Sequence, residues 1–190
     1  ADRILTAQLT VGPYEVTADE TDAYNRSNIT ETQAGLPVQY VITVVDDNNA
    51  TLPGVRIDTW FANAAGLYSG ISSIGTADQD FLRGWQTTDE NGQLTFYGIF
   101  PGPYTGRTIH VHFRVRRYAD NGTVIYNNTT QLFFLEDIID EVMGLEDYQA
   151  AASANWNTQN SADAYYTTEN LLNLTGNTTT GFVATYTIVL

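Results

Sequence analysis

The chain has 190 residues, 43% apolar and 16% charged, against roughly 25% charged in an average globular domain. That composition excludes a disordered chain, which needs low hydrophobicity with high net charge. The 22 acids outweigh 8 bases, all arginine, for a net charge of −14, so there is no basic footprint for a nucleic acid, and no apolar run approaches the ~20 residues of a transmembrane helix.

Taken in chain order, short runs of Thr, Val, Ile and Tyr alternate with Gly, Pro, Asn and Asp. Val38 to Val45 is a dense β-branched run closed by Asp46-Asp47-Asn48-Asn49. Val55, Ile57, Thr59 and Phe61 alternate with Arg56, Asp58 and Trp60, the period of a half-buried strand. Asn91-Gly92 gives a hairpin signal between Trp85–Thr88 and Gln93–Phe100. Ile109 to Val115 alternates again. In Leu135–Leu145 the residues Ile138, Ile139, Val142 and Met143 recur at helical spacing, with Glu136 and Asp137 suited to a helix N-terminus. Residues 149–181 are polar and Ala/Asn/Thr-rich, which predicts an irregular surface-wrapping segment, and Phe182 to Leu190 reads as a closing strand. The fold class predicted is all-β: one antiparallel sandwich over residues 1–190 with one short helix. Trp60, Trp85 and Phe96 are assigned to its core.

Cysteine is absent, which excludes disulfides, thiolate metal sites and cysteine nucleophiles. Eight N-x-S/T sequons begin at Asn25, Asn28, Asn49, Asn121, Asn127, Asn128, Asn173 and Asn177, against two or three expected by chance. With the acidic balance they predict a secreted, N-glycosylated protein; the alternative is that Thr- and Asn-rich loops generate sequons as a by-product. The opening at Ala1 has no charged and apolar leader, so any signal peptide is expected to be already removed.

The only two histidines are His110 and His112. On a strand this spacing points both imidazoles to one face, with Ile109, Val111, Phe113 and Val115 on the other. The histidine face continues through Arg114 and Arg116, which predicts a polar face at a sheet edge or mouth. Two neutral imidazoles side by side are a ready pair of metal ligands; an exposed pair without a ligand fits the spacing equally well. Just upstream, Phe100-Pro101-Gly102-Pro103-Tyr104-Thr105-Gly106-Arg107 forms a Gly/Pro-shaped turn that would bring Tyr104 and Arg107 beside them.

The run LRGWQTTDENGQLTFYGIFPGPYTGRTIHVHF (82–113) resembles the core signature of intradiol ring-cleavage dioxygenases, non-haem ferric enzymes that open catechols. GVRIDTWFANAAGLYSG (54–70) resembles the family segment with the first tyrosine ligand, and TTQLFF (129–134) the segment with an active-site glutamine. GPYE (12–15) with RSNITETQAGLPV (26–38) resembles the domain entry of secreted fungal members. The resemblance spans roughly residues 12–140 and implies an Ig-like, Greek-key sandwich. It implies Fe(III) held by Tyr68, Tyr104, His110 and His112, Tyr104 leaving the iron as substrate chelates, Arg107 stabilising negative charge on the substrate, and Gln131 lining the pocket. A phenol, with a free pKa near 10, binds as phenolate only to a strongly Lewis-acidic ion, which agrees with a ferric centre. Taken singly each residue has a plainer reading: packing for Tyr68 and Tyr104, a salt-bridged loop for Arg107, a surface position for Gln131.

The sequence also departs from the family. Cysteines usual in secreted fungal relatives are missing, and Phe61 stands where many relatives place a histidine that is not a ligand. The helical dimerisation segment of intracellular members is not seen, so the oligomeric state, monomer or homodimer, is open. Only Thr105 and Gly106 separate Tyr104 from Arg107, where intracellular relatives carry an insertion; a shallower, more open site is expected. Arg83, Arg107, Arg114, Arg116 and Arg117 cluster around the site in sequence, while the net charge disfavours long-range capture of anionic aromatics. The leading expectation is an extracellular dioxygenase that joins a neutral catechol or hydroxyquinol and O2 into a muconate-type diacid. The alternatives are a non-catalytic metal- or phenolic-binding sandwich glycoprotein and a purely structural module.

Overall fold

Alternation of apolar side chains sorts the strands into two facing sheets. The computed structural model describes residues 6–16 and 21–190, so the reading of the opening at Ala1 lies outside the described residues. β1 (Pro37–Val45) buries Val38, Tyr40, Ile42 and Val44, and β5 (His110–Tyr118) buries Val111, Phe113 and Val115 against them. With β2 (Arg56–Trp60), β3 (Arg83–Thr87), β4 (Gln93–Ile99), β6 (Val124–Phe133), β7 (Asn173–Asn177) and β8 (Gly181–Val189), they form sheets ordered β4-β1-β8-β7 and β3-β2-β5-β6. One apolar core fills the space between the sheets.

The expected all-β, mainly antiparallel sandwich is present, and five finer readings need correction. The sandwich is antiparallel except for β1 and β8, which pair in parallel from Val38↔Phe182 to Val45↔Val189. These strands come from opposite ends of the chain, so no short turn dictates their direction. The Asn91-Gly92 turn forms, with Gly92 at φ 70°, but it does not close a hairpin. It passes the chain from β3 in one sheet to β4 in the other. The expected helix is present as α1 (Glu136–Met143), but a second, α2 (Glu146–Asn155), follows it within a turn. Alanine at 150, 151, 152 and 154 favours α2, and Tyr148 ties it down: the buried hydroxyl donates to Phe100 O (2.7 Å) and accepts from Leu36 N (3.0 Å). The segment 149–181 is therefore irregular only in part, since it also contributes β7. Finally, Phe96 lies in the core, but Trp85 is half-buried beneath the Arg56 guanidinium (4.0 Å), and Trp60 belongs to a separate cluster beyond the sheet.

Candidate active site

Because Ile109, Val111, Phe113 and Val115 face the core, His110 and His112 stand on the outer face of the β3-β2-β5-β6 sheet. Register sets Arg83, Trp60, His112 and Gln131 in one row across the four strands, with Phe133 opposite His110. The histidines are not at an edge, as the sequence suggested. β5 runs between β2 and β6, and the two side chains are 3% and 2% exposed. The cover comes from residues 9–15, which cross this face. Leu9 N donates to Thr129 O (2.8 Å), Arg83 Nη2 donates to Tyr14 O (2.7 Å), and Arg114 pairs with Glu15 (2.7 Å).

The two tyrosines arrive on loops that dock on one another. Asn63 Oδ1 accepts from Ala65 N and Leu67 N, shaping the turn before Tyr68, and Gly102 N donates to Asn63 O (3.0 Å). Gly66 (φ 78°) and Gly102 sit at the contact, where a Cβ would stand 2.0 Å from Pro103 O and 2.2 Å from Ala64 O respectively. After Tyr68, Thr76 Oγ1 donates to the Tyr68 carbonyl (2.6 Å) and Arg83 Nη2 to that of Ser69 (2.8 Å). The ring of Tyr68 is stacked by Tyr14, centroids 4.5 Å apart, and Trp60 stacks on His112 at 4.9 Å, nearly parallel.

Four donors converge. Tyr104 Oη lies 3.0 Å from His110 Nε2, which lies 3.2 Å from His112 Nε2, and the Tyr68 and Tyr104 rings meet edge-on at 5.7 Å. His110 Nδ1 is 2.7 Å from Thr108 O; a carbonyl only accepts, so the proton is on Nδ1 and the Nε2 lone pair faces the other donors. Burial, reinforced by the Arg107 charge, pushes the His110 pKa down to about 3, and burial holds His112 well below its ordinary value. Burial raises both phenols, Tyr68 strongly. Among the described residues the buried Tyr68 hydroxyl has no partner at full hydrogen-bond geometry, although the Tyr104 hydroxyl acts on it electrostatically. A buried hydroxyl so poorly partnered, in a cluster with a second phenol and two imidazoles, is costly in a metal-free protein and becomes favourable with a cation among them. Tyr68, Tyr104, His110 and His112 could therefore hold a hard, highly charged ion. Among the described residues no group of three or more His, Cys, Asp or Glu is placed to hold a metal.

Arg107 reaches the same place, Nη1 lying 3.4 Å from His110 Nε2, and Nη2 donates to Gln131 Oε1. Gln131 is fully buried rather than at the surface, and its Nε2 donates to Thr10 O (2.8 Å). The expected arginine cluster is dispersed. Arg116 pairs with Asp58 (2.7 Å), Arg114 with Glu15, and Arg83 is committed to backbone carbonyls. Arg117 lies five residues along β5 from His112, about 16 Å at strand rise. Thr105 and Gly106 are exposed, which leaves the Tyr104–Arg107 side as the open one.

A family model described as Dioxygenase matches residues 10–159. The chain belongs to the intradiol ring-cleavage dioxygenases. The fold is similar to that of an intradiol ring-cleavage dioxygenase from Tetranychus urticae, with a TM-score of 0.82 and 27% identity over 98% of this chain and 94% of that one. It is also similar to the dioxygenase domain of a dioxygenase carbohydrate-binding protein fusion from Streptomyces sp. SirexAA-E, with a TM-score of 0.71 and 26% identity over 98% of both chains. A 93-residue stretch is 34% identical to a chlorocatechol 1,2-dioxygenase from Pseudomonas putida, covering 40% of this chain and 35% of that protein. The chain thus spans about a third of the length of that curated relative.

Sequence reasoning missed three residues of this dioxygenase site. Tyr14 was noted only within GPYE, yet it stacks on Tyr68. Trp60 was assigned to the core, although its parity with Asp58, opposite to that of Ile57 and Thr59, was the available signal for the outer face. Asp163, which binds Arg107 (2.7 Å), lies in the segment read as irregular and carried no signal.

Proposed function

We propose that this protein is a non-haem Fe(III) intradiol dioxygenase that cleaves neutral catechol- or hydroxyquinol-type aromatics with O2. Both oxygen atoms enter the product, a muconate-type diacid. The observation that supports this reading best is the convergence of two phenols and two neutral imidazoles, with the buried Tyr68 hydroxyl lacking a partner at full hydrogen-bond geometry among the described residues. Fe(III) bound by Tyr68, Tyr104, His110 and His112 would supply a Lewis acid that ionises the catechol and activates its ring toward O2. Tyr104, half-buried on the open side, is placed to take a substrate hydroxyl proton as a phenolate. Arg107 Nη1 faces the site and stabilises negative charge as it grows on the substrate. Trp60 and Tyr14 hold the rings of His112 and Tyr68 in place and keep water from them. The charge of Arg107 is already balanced by Asp163, which disfavours a substrate carboxylate there.

The test is oxygen uptake by the iron-loaded protein on addition of catechol, with an absorbance spectrum of the same sample. A tyrosinate-to-iron colour, one O2 consumed per catechol and a muconate-like product are expected. Colour without uptake would favour the non-catalytic binding protein, and no colour after iron reconstitution would overturn the ligand set. Substituting Tyr104→Phe or His110→Ala is expected to abolish colour or turnover.

We also propose secretion and N-glycosylation. All the sequon asparagines except Asn128 are exposed. Asn128 is half-buried with its amide donating to Tyr126 Oη (3.0 Å). An endoglycosidase mass shift on protein from the native source tests this, with Asn128 expected to stay unmodified.

A further inference from the structure

Asp163 stands at the end of a single-turn 3-10 helix, Asn160–Ala162, and its side chain is shielded from solvent. Both carboxylate oxygens are engaged. Oδ2 accepts from Arg107 Nε (2.7 Å) and Thr108 N (2.9 Å); Oδ1 accepts from Tyr165 N (2.9 Å) and, at 3.4 Å, from Arg107 Nη2. The loop that carries it is pinned by buried Asn160. Its N–H donates to Glu136 Oε2 (2.7 Å), its Nδ2 to Phe134 O (2.8 Å), and its Oδ1 accepts from Thr108 Oγ1 (2.6 Å).

The consequence falls on Arg107. Asp163 holds the Nε–Nη2 edge of the guanidinium, Gln131 takes a second bond from Nη2, and the Tyr165 ring lies 4.8 Å from Cζ. Nη1 is the nitrogen left to face the donor cluster, 3.4 Å from His110 Nε2. A guanidinium is a planar fork, so fixing one edge fixes the direction of the other.

We propose that Asp163 is the positioning residue for Arg107: it aims Nη1 at the place where negative charge develops on a bound catechol. The inference rests on the dioxygenase reading above. Asp163 does not touch the substrate; it acts through Arg107, and the pinned loop makes a long, flexible side chain a preorganised donor.

The experiment is a double-mutant cycle with Asp163→Ala and Arg107→Ala. It measures kcat and KM for catechol by oxygen uptake, and the anaerobic Kd of 4-nitrocatechol by titration. Asp163→Ala alone is expected to lower kcat and weaken 4-nitrocatechol binding by about 10–100-fold, the usual effect of removing such a support. In the Arg107→Ala background the same change is expected to cost less than about 2-fold. Effects that multiply independently, or an Asp163→Ala variant equal to the wild type, would overturn the proposal. If Asp163→Ala fails to fold, Asp163→Asn preserves the shape and takes its place in the cycle, with the same non-additivity required. Wild-type protein that takes up no oxygen defeats the catalytic reading alone, because the nitrocatechol cycle still decides the positioning role. Wild-type protein that neither takes up oxygen nor binds nitrocatechol overturns both.

Discussion

Gly66 and Pro103 touch backbone to backbone: a methyl group on Gly66 would stand 2.0 Å from the Pro103 carbonyl oxygen. Gly102 makes the reciprocal approach to Ala64, and its N–H donates to Asn63 O. The NAAGLY and FPGPY segments each carry one of the two tyrosines proposed as ligands, so the two glycines set how far apart Tyr68 and Tyr104 can be. Gly66→Ala, with φ of 78° besides the clash, and Gly102→Ala are each expected to destabilise the protein by about 1–3 kcal/mol. Both should also weaken iron retention, because the clash is relieved by parting the tyrosine loops. Thermal melting and the intensity of the visible band per protein check this; an alanine variant with unchanged band and melting temperature would refute the docking argument.

Tyr68→Phe separates stability from function. Among the described residues the buried Tyr68 hydroxyl has no partner at full hydrogen-bond geometry, so removing it spares the metal-free protein a desolvation cost of about 1–3 kcal/mol. The metal-free variant is expected to melt at or above the wild-type temperature. On the proposed ligand set, the same variant should lose the stabilisation expected from added iron, since one proposed donor is gone. Paired melting curves with and without iron measure both effects, and a metal-free variant clearly less stable than wild type would mean that the hydroxyl has a partner.

The difference between what the sequence revealed and what it hid follows from where each signal resides. β1, β2 and β5 were legible because one face of each is apolar at period 2. β7, Asn-Leu-Thr-Gly-Asn, has almost no strand propensity of its own and exists by pairing with β8. α2 buries only Tyr148 and Ala151, too little for an apolar stripe. The site divides the same way. Tyr104, Arg107, His110 and His112 lie within nine residues on one loop and strand, so their order carries a family signature. Tyr14 and Asp163 reach the site from opposite ends of the sequence, and nothing local distinguishes them from other loop residues. Alternation gave the correct face for the histidines but not its burial, because the cover is a separate segment.

Acid should undo the metal-free fold through its histidines. His110 has a pKa of about 3 in the folded chain and about 6.5 unfolded, lowered first by burial and then by Arg107. The unfolded chain thus binds the proton more tightly, and stability is full above pH 6.5 and lost as pH falls toward 3. The slope for this one group is about 1.4 kcal/mol per pH unit inside that window. His112 is lowered in the same direction by burial and by His110, and Asp163, which burial pushes up but the bonds from Arg107, Thr108 N and Tyr165 N together hold below its ordinary value, adds a further loss at the acid end. Urea midpoints of the metal-free protein should hold from pH 7.5 to about 6.5 and fall steadily from there to pH 4, and a flat profile throughout would show that the imidazoles are not buried as neutral groups.

Gln131 links the arginine to the segment that covers the site. Its Oε1 accepts from Arg107 Nη2 while its Nε2 donates to Thr10 O, and its own carbonyl accepts from Asn170 Nδ2 (2.9 Å). Gln131→Leu fills the same space but leaves a guanidinium N–H and the Thr10 carbonyl without this partner. The expected cost is about 1–3 kcal/mol, a fall in melting temperature of roughly 2–4 °C per kcal/mol for a chain of this size. Loss should concentrate where the bond was: it ties Thr10 down between the Leu9 and Tyr14 anchors of the covering segment, so amide exchange in residues 9–15 should accelerate more than in β5. Gln131→Glu keeps an acceptor for Arg107 but replaces the donor to Thr10 with a second carboxylate beside Asp163, so it should free the covering segment and leave Arg107 held. Faster exchange at residues 9–15 in both variants, with a larger loss of turnover in the leucine variant, is the expected pattern; equal turnover loss in the two would mean that Gln131 serves the cover and not the arginine.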